Sequence, residues 1–175
     1  MPILLVTGGC RCGKSRFAQD WAERQSVRRL FLATAATWDE EMRDRVKKHQ
    51  AERGSDWTTV EETLDPVKVI NQRHDQTGVI LMDCVTIWLS NLIMADLSDD
   101  QIRDRVNALV GCLARSVCPV ALVTNEVGCG IVPDNPLARR FRDLAGMANQ
   151  MLAAAADRVV WLVSGIPVTI KGRES

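Results

Sequence analysis

The sequence predicts an α/β fold with a mostly parallel sheet flanked by helices, on three observations. Apolar runs of strand length alternate with segments of helical periodicity along the chain. The runs at 3–7, 79–83 and 119–124 are nearly continuous in apolar residues, as in strands covered on both faces. The first run passes through a glycine-rich turn straight into an amphipathic helix.

Each element has a local reason. The first strand is expected over 3–7, and the helix opening near Gly13 carries Phe17, Ala18, Trp21 and Ala22 on one face. A second strand is expected over 30–34. Asp39 can cap a helix with Glu40 and Glu41 in its first turn, running to Glu52 and stopping at Gly54. Residues 57–61 alternate like a short strand, and Asp65-Pro66 starts a short helix, since proline suits the first helical turn. The run at 79–83 ends in a carboxylate, as a central parallel strand does. A mainly apolar helix follows over 86–95, then a capping-box start at Ser98-Asp99-Asp100-Gln101 for a helix to Arg115. After the strand at 119–124 and a polar, glycine-bearing loop at 125–135, Pro136 opens a long helix. Its expected inner stripe is Leu137, Phe141, Leu144, Ala148, Met151 and Ala155. A last strand over 159–163 continues into a hairpin at 168–170. Five or six core strands in a single domain over 1–175 are expected.

Composition narrows the function. The 175 residues carry 22 basic and 22 acidic side chains, a formal net charge of zero, which argues against a dedicated nucleic-acid binder. No window approaches the roughly 18 apolar residues of a membrane span. The amino-terminal stretch lacks the basic start of an export signal. Six cysteines (Cys10, Cys12, Cys84, Cys112, Cys118 and Cys129) contain no CxxC pair, which points to reduced thiols in a cytoplasmic protein.

Gly8-Gly9-Cys10-Arg11-Cys12-Gly13-Lys14-Ser15 matches G-x-x-x-x-G-K-[ST] at every fixed position, with the required strand before it and helix after it. Glycines let backbone N–H groups wrap a phosphate chain, and the helix start adds its positive dipole end. Lys14 would reach the β- and γ-phosphates and the Ser15 hydroxyl would hold Mg²⁺. Such a P-loop binds a nucleoside triphosphate. Its cysteines either fill small-residue positions or, near a helix N-terminus, form a reactive thiol. A P-loop needs a strand-end carboxylate to complete the Mg²⁺ site; Asp83 is the first candidate and Glu126, just after 120–124, the second.

Of the two histidines, His74 sits in a polar connection and reads as a surface residue. His49 lies about 20° from Met42 and about 60° from Val46 on a helical projection, with Arg45 and Arg53 about 40° to either side. Spacing leaves two readings open: a neutral imidazole between cations that receives a phosphoryl or nucleotidyl group, or a last-turn histidine that stabilises the helix dipole.

The motif order resembles the bifunctional adenosylcobinamide kinase / adenosylcobinamide-phosphate guanylyltransferase family. The resemblance spans nearly the whole chain: Val6-Thr7-Gly8-Gly9 with the P-loop; Ala33-Thr34-Ala35; Asp39-x-Glu41-Met42 with Arg45 and His49; and His49-x₃-Arg53-x₃-Trp57-x-Thr59-x-Glu61. It continues in Asp83-Cys84-x-Thr86-x-Trp88, Thr124-Asn125-Glu126-Val127-Gly128, Leu137-Ala138-Arg139, Asn149-Gln150, Gly165-x-Pro167 and Lys171. The resemblance implies a RecA-like P-loop NTPase fold and a homo-oligomer, a trimer. It implies phosphorylation of adenosylcobinamide by ATP or GTP, then GMP transfer from GTP to that phosphate through a guanylyl-histidine at His49. Nucleotide contacts would come from Gly8, Gly9, Cys10, Arg11, Cys12, Gly13, Lys14 and Ser15, from Ala33, Thr34 and Ala35, from Gln50, Ala51, Glu52 and Arg53, and from Glu61 and Asp83. Ser15 and Asp83 would hold the metal. Cys12 stands where the family usually has serine, and Thr63 where proline is frequent. The residues alone leave two further readings open: a P-loop small-molecule kinase without guanylyl transfer, and a regulatory nucleotide-binding module. The loop at 125–135 is the expected part of the corrinoid surface, because loops at strand carboxyl ends build ligand sites in open α/β sheets.

Overall fold

The computed structural model describes residues 1–35 and 56–173; the helix expected from Asp39 lies outside them. The strands are β1 (Ile3–Gly8), β2 (Arg29–Ala33), β3 (Trp57–Glu61), β4 (Val79–Asp83), β5 (Val120–Val123), β6 (Arg158–Val163) and β7 (Ile166–Lys171). The helices among the described residues are α1 (Lys14–Gln25), α2 (Pro66–Arg73), α3 (Val85–Met94), α4 (Asp99–Arg115) and α5 (Pro136–Ala155). The local signals account for their starts. The Asp65 side chain accepts from Lys68 N at the head of α2, Ser98 and Gln101 form a capping box on α4, and Asn135 accepts from Leu137 N and Ala138 N ahead of Pro136.

The strand order is β3-β2-β4-β5-β1-β6-β7, parallel except for the antiparallel β7. A parallel crossover is right-handed, so its direction along the sheet decides which face its helix covers. The step from β1 to β2 runs one way and carries α1 to one face. The steps from β3 to β4, β4 to β5 and β5 to β6 run the other way and carry α2 through α5 to the opposite face.

The core follows this division. Leu5, Leu32, Ile80, Met82 and Leu122 pack with Ile70, Trp88, Leu89, Val106, Leu109 and Leu144 from α2 to α5. Leu4, Val6, Phe31, Leu81 and Val123 pack with Ala18, Trp21 and Ala22 of α1. Alternate side chains of one strand therefore enter different cores, and this is why the central strands read as unbroken apolar runs. Trp88 is 1% exposed, and its indole N–H donates to Leu64 O at 3.1 Å, so its burial leaves no polar group unsatisfied.

Three expectations need correction. The sheet has seven strands, because both the short 57–61 segment and the hairpin join it. The fully buried stripe of α5 is Leu144, Ala145, Ala148 and Leu152, with the expected Phe141 and Met151 partly buried against the same core, whereas Leu137 is half-exposed. His74 is half-buried, and its Nδ1 accepts from Val117 N at 3.1 Å, tying α2 to the turn that follows α4.

The six cysteines are free, and Cys84, Cys112 and Cys118 are buried. Burial, reinforced by the neighbouring Asp83 carboxylate, pushes the Cys84 thiol from 9.0 up to about 11; burial also raises Cys112 and Cys118. A raised folded-state value favours the neutral thiol in the native protein. This contribution is complete below the unfolded value and is lost as pH rises toward the folded one. Urea midpoints are expected to fall between pH 9 and 11, with Cys84 supplying up to about 2–3 kcal/mol of the loss. The chain has no tyrosine to overlay this transition. Cys84→Ala is expected to flatten the decline; an unchanged slope in that variant would contradict the assignment.

Candidate active site at the phosphate loop

β1 delivers its carboxyl end into a turn that only glycine can make at two points. Gly8 has φ +147°, and a Cβ there would lie 2.5 Å from Leu162 O and 2.8 Å from Cys12 Sγ. Gly13, φ +97°, is the N-cap of α1 and makes no side-chain cap hydrogen bond, so the first-turn N–H groups of this helix remain available to an anion. The loop is braced from β6 and β7, whose turn donates Gly165 N to Cys12 O at 3.1 Å. Lys14, the first residue of α1, is buried; its Nζ donates to Gly9 O at 2.5 Å and contacts Cys12 Sγ at 3.7 Å. Ser15 follows, half-buried, and Cys10 and Arg11 are exposed.

The remaining expected residues of the described chain end on the same edge of the sheet. Ala33 stands opposite both Asp83 and Glu61, Asp83 opposite Val123, and Val123 opposite Val6, just before the loop. Asp83 is two strands from β1, about 10 Å of sheet width. The exit of β2 is held firmly: the buried Thr34 hydroxyl accepts from Cys84 N at 2.7 Å and donates to Cys84 O at 2.8 Å, and Ala35 beyond it is half-buried. Glu61 is exposed on the rim. Its neighbour Glu62 serves the next turn, where the N–H groups of Asp65 and Leu64 hold its carboxyl below the usual range. The structure thus lines up the loop 8–15, Ala33, Thr34, Ala35, Asp83 and Glu61 along the carboxyl ends of the strands, with Glu61 four strands from β1, about 19 Å of sheet width. Arg45, His49, Gln50, Ala51, Glu52 and Arg53 lie outside the described residues.

A polar network under this rim escaped the sequence reading. Thr7 Oγ1 donates to Glu126 Oε1 at 2.6 Å, and Asn149 Nδ2 donates to the same oxygen at 3.3 Å and to Asn125 O at 3.1 Å. Thr124 Oγ1 donates to Asn149 Oδ1 at 2.7 Å, and Asn125 Nδ2 donates to Thr86 Oγ1 at 3.0 Å. The P-loop entrance, the exit of β5 and the turn after Asp83 are therefore linked. On the far side, Asn91 Nδ2 donates to Thr34 O at 2.8 Å and Thr63 O at 3.0 Å. The available signal was amide side chains on the inner faces of otherwise apolar helices, where an unpaired amide is costly and a partner must exist.

Comparison with known proteins identifies the family and the fold. A family model described as cobinamide kinase / cobinamide phosphate guanyltransferase matches residues 4–170. The bifunctional adenosylcobalamin biosynthesis protein CobU of Escherichia coli (strain K12) is 40% identical over 181 residues, covering 97% of this chain and 99% of that protein. The corresponding CobP of Pseudomonas aeruginosa is 36% identical over 168 residues, covering 96% of each. Among solved structures, the flagellar accessory protein FlaH from Methanocaldococcus jannaschii has a TM-score of 0.55 at 14% identity, covering 98% of this chain and 79% of that one. The RadB recombinase has a TM-score of 0.54 at 13% identity, covering 98% and 81%. These two share the α/β fold of this chain.

The glycines make a contrast that can be measured. Gly8→Ala forces a Cβ against the backbone of β6 in a conformation that L side chains rarely adopt, and is expected to cost about 1–3 kcal/mol of stability and at least tenfold in nucleotide affinity. Gly9, whose added Cβ would meet nothing within 4 Å, is expected to tolerate alanine within about 0.5 kcal/mol. Urea denaturation and nucleotide titration check both; a tolerated Gly8→Ala would contradict the close approach of β6.

Proposed function

Because the chain belongs to the cobinamide kinase / cobinamide phosphate guanyltransferase family, we propose that it carries out both transfers at one phosphate loop. The first moves the γ-phosphoryl group of ATP or GTP to the hydroxyl of adenosylcobinamide. The second moves GMP from GTP to that phosphate through a covalent intermediate on His49, giving adenosylcobinamide-GDP and pyrophosphate. The observation that carries this reading is the buried Lys14 in a glycine-built loop, level with Ala33, Glu61 and Asp83 on one sheet edge.

The residues divide the work. Backbone N–H groups of the loop and the α1 terminus hold the phosphate chain, and Lys14 exchanges the Gly9 carbonyl for a β- or γ-phosphate oxygen. In guanylyl transfer, a neutral His49 nitrogen bonds the α-phosphorus of GTP while the α–β bridging bond breaks and pyrophosphate leaves. A phosphate oxygen of the acceptor then displaces His49. Splitting the displacement in this way replaces one difficult step by two easier ones. Arg45 and Arg53 would offset charge on the transferred and departing groups, and Gln50, Ala51, Glu52, Arg53 and Glu61 would contact the nucleotide.

Mg²⁺ fits the donors present. Among the described residues no group of three or more His, Cys, Asp or Glu side chains could hold a metal. A hydroxyl at Ser15 and a carboxylate at Asp83 suit an ion that takes few protein ligands and completes its shell with phosphates and water. When bound, it supplies charge neutralisation on the phosphates.

The 125–135 loop, expected to face the corrinoid, leaves β5 on the same rim with Ile131 and Val132 exposed. A homo-oligomer, a trimer in the resemblance, is supported by the hairpin at the sheet edge. Trp161 pairs with Val168 and Val163 with Ile166, so four apolar side chains share one exposed hairpin face. We place the protein in the cytoplasm: its six cysteines are free, and no helix among the described residues is long and apolar enough to cross a membrane.

Incubation with GTP labelled at the α-phosphate is expected to give an acid-labile protein label that is absent in His49→Ala. Label persisting in that variant would remove His49 from the role, and no label in the wild type would leave a simple kinase. Light scattering is expected to show an oligomer that Trp161→Arg with Val168→Glu dissociates; a wild-type monomer at micromolar concentration would contradict the assembly.

A further inference from the structure

Glu126 is clamped by one oxygen only. Its backbone N–H donates to Gly8 O at 3.1 Å, extending the β1–β5 ladder onto the first residue of the loop. Thr7 Oγ1 and Asn149 Nδ2 both donate to Oε1, at 2.6 and 3.3 Å. Oε2 accepts no hydrogen bond among the described residues. The side chain is half-buried. A carboxylate that only needed to anchor Thr7 and Asn149 would be served equally by an amide. What this arrangement adds is a second carboxylate oxygen, without a hydrogen-bond partner among the described residues, at the mouth of a phosphate loop.

We propose that Glu126 is the proton acceptor of the kinase step: its Oε2 orients the hydroxyl of the corrinoid acceptor and takes its proton. In that step the acceptor oxygen bonds the γ-phosphorus, the bond from the γ-phosphorus to the β–γ bridging oxygen breaks, and the nucleoside diphosphate leaves with the electron pair. The proton passes to Glu126 Oε2 and then to water. The proposal rests on the two-reaction reading above and deepens it, because it separates the two reactions chemically. An alcohol must lose a proton to become a phosphate ester. A phosphate acceptor attacks through an oxygen that is already ionised, so guanylyl transfer has no use for this base.

E126Q tests the point. Gln retains an Oε1 that accepts from Thr7 and Asn149, so the brace survives while the proton acceptor is lost. Kinase turnover on adenosylcobinamide is expected to fall by about 100-fold, the usual range for a positioned base. Guanylyl transfer to pre-formed adenosylcobinamide phosphate, assayed on the same preparation, is expected to fall by less than threefold. A parallel loss in both reactions, or kinase turnover within threefold of wild type, would overturn the proposal and leave Glu126 as a brace. Should E126Q fail to self-label with GTP, the comparison moves to E126D and E126A. E126D is expected to retain at least tenfold more kinase activity than E126A at similar guanylyl transfer; equal kinase losses would overturn the proposal. A wild-type protein that transfers GMP but does not phosphorylate the acceptor would instead overturn the two-reaction reading itself, and is recognised before any variant is made.

Discussion

The position of β1, inserted between β5 and β6, is the constraint on which the site depends. Right-handed crossovers that leave in opposite directions must pass over opposite faces of the sheet. α1 and α5 therefore diverge at the carboxyl end of β1 and leave a mouth there that no helix among the described residues fills. The sheet is closed tightly around that strand: β6 approaches until no side chain fits at Gly8, and the β6–β7 turn holds the loop through Gly165. Lys14 is consequently buried on a rigid support rather than waving from a surface turn, which is what electrostatic stabilisation of a transferring phosphoryl group requires.

Much of this was legible because it is local. Caps, prolines, the P-loop pattern and unbroken apolar strands each report their own few residues, and the strands at 57–61 and 79–83 form where the pattern places them. Tertiary features were less visible. Helical periodicity places Leu137 on the inner stripe of α5, but its side chain is half-exposed, while Ala145 and Leu152 join Leu144 and Ala148 as the buried positions. The hairpin was half-seen, because Trp161, Val163, Ile166 and Val168 face outward and so blur the contrast between core and surface. Glu126 was visible as a strand-end carboxylate, but its tether to Thr7 and Asn149 joins residues more than a hundred positions apart in one case, which no spacing rule reaches.

Zero net charge conceals a concentrated arrangement. In the proposed function the phosphate-binding end would use one buried ammonium, Lys14, and oriented backbone amides, while the Glu126 carboxylate after the neighbouring strand would handle the acceptor. Two transfers with different nucleophiles need different help from the protein. Both develop charge on phosphates and so can share Lys14 and the loop, whereas only the alcohol acceptor needs a base and only GMP transfer needs a nucleophilic side chain. Under the proposed function, such a division would let one small α/β unit perform both reactions without duplicating its nucleotide site.

The most direct measurement of that central idea, one phosphate loop for two reactions, is Lys14→Ala assayed in each reaction separately. Phosphorylation of adenosylcobinamide and GTP-dependent self-guanylylation are both expected to collapse, by at least about 100-fold, an effect of the size expected for losing a preorganised charge at a transferring phosphoryl group. Self-guanylylation persisting at the wild-type rate while the kinase fails would contradict it and require a second nucleotide site.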